Sequence, residues 1–352
     1  MKDHPLVVQA KQRIKGAIAS NDLVFNFSGG KDSHAIVGLL LEMIADKELS
    51  EEEISRVSVF HADTTIEYPL LVGLTHKSLE FFQQQGIKTV VASAPPEERF
   101  FAMLFGYGRP VPSKFVRWCT DNLKIRPSIK NSDAVHVTGE HLGESLSRDK
   151  KLKSSCGSSE CGIDRLEKST DGDRLLKPIT EWSNCQVWDY LFWLDYSGVF
   201  YDGFFNRISH VYEIGNDDEK NTSLRMGCIS CPVVSVHRAF NTDAKGVPTR
   251  LGLKLRLILE EMRSDDIRLK NPRAPKSGKV RQLGAISVYA RRYYWPHIKQ
   301  INQHLAEFNV CLISKEEEVF VDNSLEIGRY PKTYKSEQIM KLEMDWFKRC
   351  PD

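Results

Sequence analysis

The chain has 352 residues, 41% of them apolar, enough to bury the core of two ordinary domains or one enlarged one, which excludes disorder as its main state. Its 49 Lys and Arg against 47 Asp and Glu leave a net charge of +2, so a general polycation is excluded and any basic surface is local. No apolar run reaches the roughly 20 residues of a membrane span, and the first ten residues carry no apolar segment behind a basic patch. Eight cysteines in such a chain predict reduced thiols in the cytoplasm, with metal or redox chemistry as the leading question.

In chain order, short β-branched and aromatic runs at 23–27, 57–61, 88–92 and 134–139 read as strands spaced by helix-length segments, which predicts a parallel α/β sheet. Between the first two, residues 32–47 place Ile36, Leu39, Leu40 and Met43 at the spacing of a helix packed on one face. A fifth strand is expected near 175–179. After Trp182 the pattern turns helical and aromatic, as at 187–196 and 251–262, and strand-like alternation returns only at 310–313. These patterns predict a nucleotide-binding α/β domain over 1–182 and a mainly helical region over 183–352. Residues 268–279, broken by Pro272, Pro275 and Gly278, read as a linker.

The first strand runs directly into Ser28-Gly29-Gly30-Lys31-Asp32-Ser33 and then into the helix. A glycine turn that opens a helix aims free backbone N–H groups at an anion; Lys31 adds a point charge, and Ser28 and Ser33 add hydroxyl donors. This is not a Walker A loop, because Phe25 stands where that pattern needs its first glycine and Asp32 where it needs Ser or Thr. The plainer reading, a Gly-Gly turn with a solvated lysine, lacks a reason for the full six-residue string between a strand and a helix.

At these residues the chain resembles the PP-loop ATP pyrophosphatase superfamily, which includes sulfonucleotide reductases, tRNA thiolases and N-type ATP pyrophosphatases. His61-Ala62-Asp63-Thr64, followed by Glu67-Tyr68-Pro69, resembles the DTG-x-E-x-P element of the sulfonucleotide reductase branch, with Thr65 in place of the glycine. Gly139, Glu144, Ser145 and Arg148 are similar to its G-x-R-x-x-E-S-x-x-R element, with His141 in place of the first arginine. Lys177-Pro178-Ile179, Trp182 and Trp188-Asp189 resemble its P-I-x-x-W-x-x-x-D-V-W stretch. The resemblance implies a Rossmann-like, adenine nucleotide alpha hydrolase-like fold in which ATP is split between its α and β phosphates. By that analogy Ser28, Gly29, Gly30, Lys31, Asp32 and Ser33 hold pyrophosphate with Mg2+. Asp63, Gly139, Glu144 and Ser145 line the nucleotide site, and Lys31, Asp63 and Arg148 serve catalysis. From the residues alone, Asp63 is equally suited to capping a helix, and Arg148 to pairing with Glu144 four residues earlier.

Cys228 and Cys231 form Gly-Cys-Ile-Ser-Cys-Pro, a spacing that lets two thiolates reach one metal centre, and Cys119 stands beside several cations. Residues 106–127, with Arg117-Trp118-Cys119-Thr120 and Leu123-Lys124-Ile125, resemble the DNA phosphorothioation sulfurtransferases of the DndC and SspD type. That resemblance implies a 4Fe-4S iron–sulfur cluster on Cys119, Cys228, Cys231 and one more cysteine. Cys156 and Cys161, in a Ser- and Gly-rich loop, are the candidates for the last ligand, with Cys185 behind them; Cys311 and Cys350 have no companions. Glu160-Cys161-Gly162-Ile163 also resembles the nucleophilic element of sulfonucleotide reductases, there near the chain's end and here mid-chain.

Nine Lys or Arg and no Asp or Glu fall between Ile267 and Ala306, and Arg291-Arg292-Tyr293-Tyr294-Trp295 sets aromatic faces beside cations, as a nucleic-acid contact would. A solvated helix face with its aromatics turned inward is the alternative. The resemblance therefore implies a cytoplasmic sulfurtransferase that adenylates a DNA backbone phosphate, with a cysteine desulfurase and other phosphorothioation proteins as partners. Reduction of adenylyl sulfate or its 3′-phosphorylated form, thiolation of tRNA, and a non-enzymatic iron–sulfur sensor or scaffold are the competing expectations.

Overall fold

A computed structural model describes residues 1–128, 133–142, 167–168, 174–213, 228–229, 231–233, 248–271 and 283–349. The chain divides into two compact units, one drawn from 1–62, 70–92 and 128–226, the other from 63–69, 93–127 and 227–352.

The first unit is built on strands β1 (Leu23–Asn26), β2 (Val57–Asp63), β3 (Lys88–Ser93), β4 (Val135–Val137), β5 (Glu167–Lys168) and β6 (Arg174–Leu176), ordered β3-β2-β1-β4-β6-β5. β1 pairs in parallel with β2 and β4, β4 in parallel with β6, and β5 lies antiparallel at the edge. This is the Rossmann-like α/β PP-loop arrangement with flanking helices. β1 is central and reads Leu-Val-Phe-Asn with almost no polar alternation, as expected of a parallel strand covered on both faces.

The helix Lys31–Ala45 that follows β1 is buried far beyond the single face its apolar spacing suggests: every residue from Ser33 to Met43 is buried. Sheet on one side and helices on the other cover it. Each fully buried Leu or Ile there contributes roughly 1.5–3 kcal/mol over its exposed state. Glu42, a charge inside that apolar run, is 2% exposed and fully engaged. Its oxygens accept from the Tyr190 hydroxyl and the Trp193 indole, each at 3.0 Å, and pair with Lys11 at 3.1 Å. The carboxylate thus ties the helices Pro5–Ile18 and Asn184–Tyr196 to the Lys31–Ala45 helix.

The second unit contains the helices Thr249–Glu261, Val288–Ala306, Lys315–Glu326 and Ser336–Arg349. Residues 310–313 form no strand. Asn302 clamps this stretch, its Oδ1 accepting from the N–H groups of Leu312 (2.9 Å) and Ile313 (3.2 Å), so its apolar residues fill a helix connection. The expected linker begins as strand β7 (Arg268–Lys270), antiparallel to β8 (Leu283–Ile286); the remainder of it from 272 lies outside the described residues. No helix among the described residues is long and apolar enough to cross a membrane.

Candidate functional site

Chain direction and glycine chemistry shape the loop after β1. Gly29 sits at φ +74°, and a Cβ there would lie 1.9 Å from Thr75 Oγ1, so both backbone conformation and space demand glycine. Ser28 Oγ accepts from the Gly30 N–H at 3.4 Å and lies 3.3 Å from Ser33 Oγ, which donates to the Gly30 carbonyl at 2.8 Å. No side chain caps the Lys31–Ala45 helix from its Gly30 N-cap position. Its first turn therefore carries the partial positive charge and N–H donors of a helix start.

One of those donors already has an oxygen. The Lys31 N–H donates to the Tyr212 hydroxyl at 2.9 Å. Tyr212 comes from the helix Phe204–Glu213, is 7% exposed, and packs edge-on against Trp188 with ring centroids 5.2 Å apart. A neutral oxygen thus stands where the loop's geometry favours an anionic one.

The Lys31 ammonium pairs with Asp32, and Asp32 Oδ1 lies 3.1 Å from His141 Nε2. The other ring nitrogen, Nδ1, is 2.8 Å from the Leu142 carbonyl. Both nitrogens of a fully buried ring thus face acceptors, which requires the doubly protonated imidazolium. Burial disfavours charge on Asp32, but the His141 hydrogen bond and the Lys31 charge outweigh it and hold the carboxyl below its usual range. Burial likewise opposes the imidazolium, yet the hydrogen bond and charge of Asp32 raise His141 above its usual value. Gly139 completes the arrangement, since a Cβ there would lie 2.6 Å from the Asp32 carbonyl oxygen. Beside the loop, His34 is fully buried, with Nδ1 3.0 Å from the Gly30 carbonyl and Nε2 2.9 Å from Ser78 Oγ. Burial lowers its pKa to about 3, so it is a neutral brace for the loop.

The structure thus gathers Ser28, Gly29, Gly30, Lys31, Asp32, Ser33 and Gly139 at one place. Glu144, Ser145, Arg148, Cys156 and Cys161, and likewise Cys350, lie outside the described residues. Sequence reading missed Tyr212 and His34 as members of this neighbourhood, and treated His141 only as a replacement.

The second unit holds Asp63 and the described cysteines of the expected cluster. Asp63 caps no helix; its Oδ1 accepts from the Thr65 N–H at 2.8 Å, closing a tight turn. Thr65 adopts φ +62°, the left-handed conformation that glycine takes without cost, at the position where the resemblance expects glycine. The next residues carry the Cys-x-x-Cys turn: Glu67 bridges Cys228, Ile229 N–H donates to the Ile66 carbonyl at 2.8 Å, and Cys231 N–H to the Cys228 carbonyl at 3.1 Å.

The three sulfurs feel one another. A hydrogen bond with Cys231, then burial, push the Cys228 thiol well above its ordinary pKa, and burial followed by the Cys231 charge raises Cys119. Thiols that resist separate ionisation at close quarters are the donor set a soft metal centre stabilises as thiolates. Among the described residues, no three His, Cys, Asp or Glu side chains are already arranged to hold a metal ion. Cys185 and Cys311 are both exposed.

The cationic stretch around Arg291 is corrected. Arg291 is fully buried, and its guanidinium donates to the carbonyls of Phe105 (2.8 Å), Gly106 (2.9 Å) and Arg329 (2.9 Å). Arg292 binds the Leu325 and Glu326 carbonyls at a helix C-terminus, and Trp295, 2% exposed, donates to Asp322 at 2.6 Å. These cations satisfy orphan backbone acceptors inside the unit and are not presented to a phosphate backbone.

The family model for the phosphoadenosine phosphosulfate reductase domain matches residues 22–233. Among solved structures, a phosphate complex of phosphoadenylyl-sulfate (PAPS) reductase from Candida auris is 15% identical, covering 56% of this chain and 84% of that one, with a TM-score of 0.38. The U34-tRNA thiolase NcsA from Methanococcus maripaludis, with its 4Fe-4S cluster, is 14% identical, covering 62% and 76%, with a TM-score of 0.36. A search of curated proteins finds no match. The matched span runs from the glycine loop through the Cys-x-x-Cys pair, and the chain belongs to the phosphoadenosine phosphosulfate reductase domain family.

Proposed function

We propose that this chain is an ATP-dependent sulfurtransferase that splits ATP to pyrophosphate and activates a phosphate of DNA for phosphorothioate formation. The observation that carries the reading is the loop itself: a left-handed Gly29, an uncapped helix start and a buried Lys31 form a cradle for a polyanion released from a nucleotide. A sulfonucleotide has no pyrophosphate to leave there.

In the proposed reaction, a non-bridging oxygen of the phosphodiester attacks the α-phosphorus of ATP, and the α–β bridging P–O bond breaks. Pyrophosphate leaves into the loop, where the backbone N–H groups and Lys31 stabilise its charge. A partner cysteine desulfurase supplies sulfur as a persulfide. Its terminal sulfur attacks the activated phosphorus, AMP departs with the original oxygen, and a second thiol releases the new phosphorothioate by forming a disulfide with the donor cysteine. His141 holds Asp32, and Asp32 orients Lys31, so the cation that meets the leaving group is fixed in place. Mg2+ would offset pyrophosphate charge, and a 4Fe-4S cluster held by Cys119, Cys228, Cys231 and either Cys156 or Cys161 would supply the sulfur-handling centre.

The test is product analysis on anaerobically purified protein. Pyrophosphate and AMP formation from ATP, stimulated by DNA together with a persulfide donor, supports the reading. Sulfite formed from a sulfonucleotide and a thiol, without pyrophosphate, replaces it with the reductase activity that names the family. Stimulation by tRNA in place of DNA would move the acceptor to RNA.

A further inference from the structure

The second unit contains a cavity of about 1320 Å3, larger than a small-ligand pocket of roughly 300–1,000 Å3. Five cations line it, Lys114, Arg256, Arg263, Arg268 and Lys270, against the acids Glu260 and Asp265. Some of this charge is engaged within the protein: Arg256 pairs with Glu260 at 2.8 Å, and Arg268 donates to the Gly284 and Leu283 carbonyls, each at 3.0 Å. The balance is still positive, and Lys114, Arg263 and Lys270 lie at exposed positions.

One wall of the cavity is an exposed aromatic held out by a locked turn. Ser113 N–H donates to the Val116 carbonyl at 2.9 Å, and Ser113 Oγ accepts from the N–H groups of Phe115 and Val116, each at 3.3 Å. At its tip Phe115 is 88% exposed, between the exposed cations Lys114 and Arg117. A lone exposed phenylalanine is unremarkable on a protein surface. One fixed in a rigid turn, flanked by cations and opening onto a positive cavity, has the two parts of a single-strand platform: a π-face for an unstacked base and charges that track the backbone. The position fits the chemistry as well. The turn leads directly into Trp118 and Cys119, and Pro232, the residue after Cys231, lines the same cavity.

We propose that this turn and cavity bind a single-stranded polynucleotide segment, one base stacking on Phe115 while its phosphates lie along Lys114, Arg263 and Lys270. The assignment rests on the reading of the chain as a polynucleotide-modifying sulfurtransferase. It moves the nucleic-acid surface away from Arg291 and Arg292 to the turn that precedes Cys119. A duplex, whose bases are already stacked, gains only the electrostatic part.

The experiment is fluorescence anisotropy of the full chain with labelled single-stranded oligodeoxynucleotides and oligoribonucleotides of one sequence. Phe115→Ala weakens binding about ten-fold or more, and Phe115→Trp, which keeps a π-face, retains it. Lys114→Ala combined with Lys270→Ala flattens the logarithmic salt dependence by about one. The preferred sugar distinguishes a DNA from an RNA acceptor. Unchanged affinity in Phe115→Ala, or an unchanged salt slope in the double variant, overturns the surface. Phe115-dependent binding without any pyrophosphate release from ATP leaves the surface standing and refutes the sulfurtransferase reading; pyrophosphate release with Phe115-independent binding refutes the surface alone.

Discussion

His141 and Asp32 meet at 3.1 Å beneath the glycine loop, and the second ring nitrogen of His141 faces the Leu142 carbonyl at 2.8 Å, so the pair is an imidazolium and a carboxylate. The raised His141 value means that its contribution to stability is complete below its ordinary 6.5 and disappears as pH rises through the folded value. The lowered Asp32 value means that its share is complete above 3.8 and disappears as pH falls through the folded value. Urea unfolding across pH is expected to show a loss of stability on the alkaline side that His141→Gln abolishes. An identical pH profile in the variant would show that the ring is neutral in the folded protein.

Tyr212 occupies a donor that pyrophosphate needs. Tyr212→Phe keeps the ring against Trp188 and removes only the oxygen, so the Lys31 N–H is freed. A single hydrogen bond of about 0.5–1.5 kcal/mol predicts pyrophosphate binding tighter by roughly two- to ten-fold in calorimetry. Weaker binding would make the hydroxyl a ligand of the phosphate.

Thr65 is a β-branched residue at φ +62°, a conformation that costs such residues on the order of 1–3 kcal/mol. Thr65→Gly removes that strain, loses the Thr65 Oγ1 bond to the Thr64 carbonyl at 2.7 Å, and adds some unfolded-state entropy. The balance predicts a gain of about 1 kcal/mol or less, read as a raised thermal midpoint. A lowered midpoint would show that the threonine side chain outweighs its backbone.

Arg291 reaches three carbonyls that have no water in place of it. Arg291→Ala leaves them orphaned and is expected to cost about 3–5 kcal/mol in denaturant unfolding. Arg291→Lys recovers only part, because an ammonium cannot reproduce the planar fork. A variant that unfolds like wild type and loses only nucleic-acid binding would restore the surface role.

The difference between what was legible and what was not follows from distance along the chain. The strand, the glycines and Lys31 are contiguous, so the loop's chemistry is written in six adjacent residues. Gly139 is visible only through resemblance, and the structure supplies its cause in the Asp32 backbone pressed against it. Tyr212 stands 181 residues from the N–H it binds, and no local pattern marks that contact. The basic stretch misleads for a different reason: composition counts charge without burial, and Arg291 spends its charge on carbonyls. Thr65 is legible as a departure from a motif, and only its backbone angle shows that the turn kept its glycine-like shape.

The account's central claim is that the Gly29–Gly30–Lys31 turn grips pyrophosphate. The most direct measurement is a crystal structure of the full chain with pyrophosphate and Mg2+, beside the same soak of Lys31→Ala. The account predicts phosphate oxygens on the N–H groups at the start of the Lys31–Ala45 helix in wild type, with the Tyr212 hydroxyl displaced, and loss of that density in the variant. Pyrophosphate bound elsewhere, with Tyr212 still on the Lys31 N–H, would contradict it.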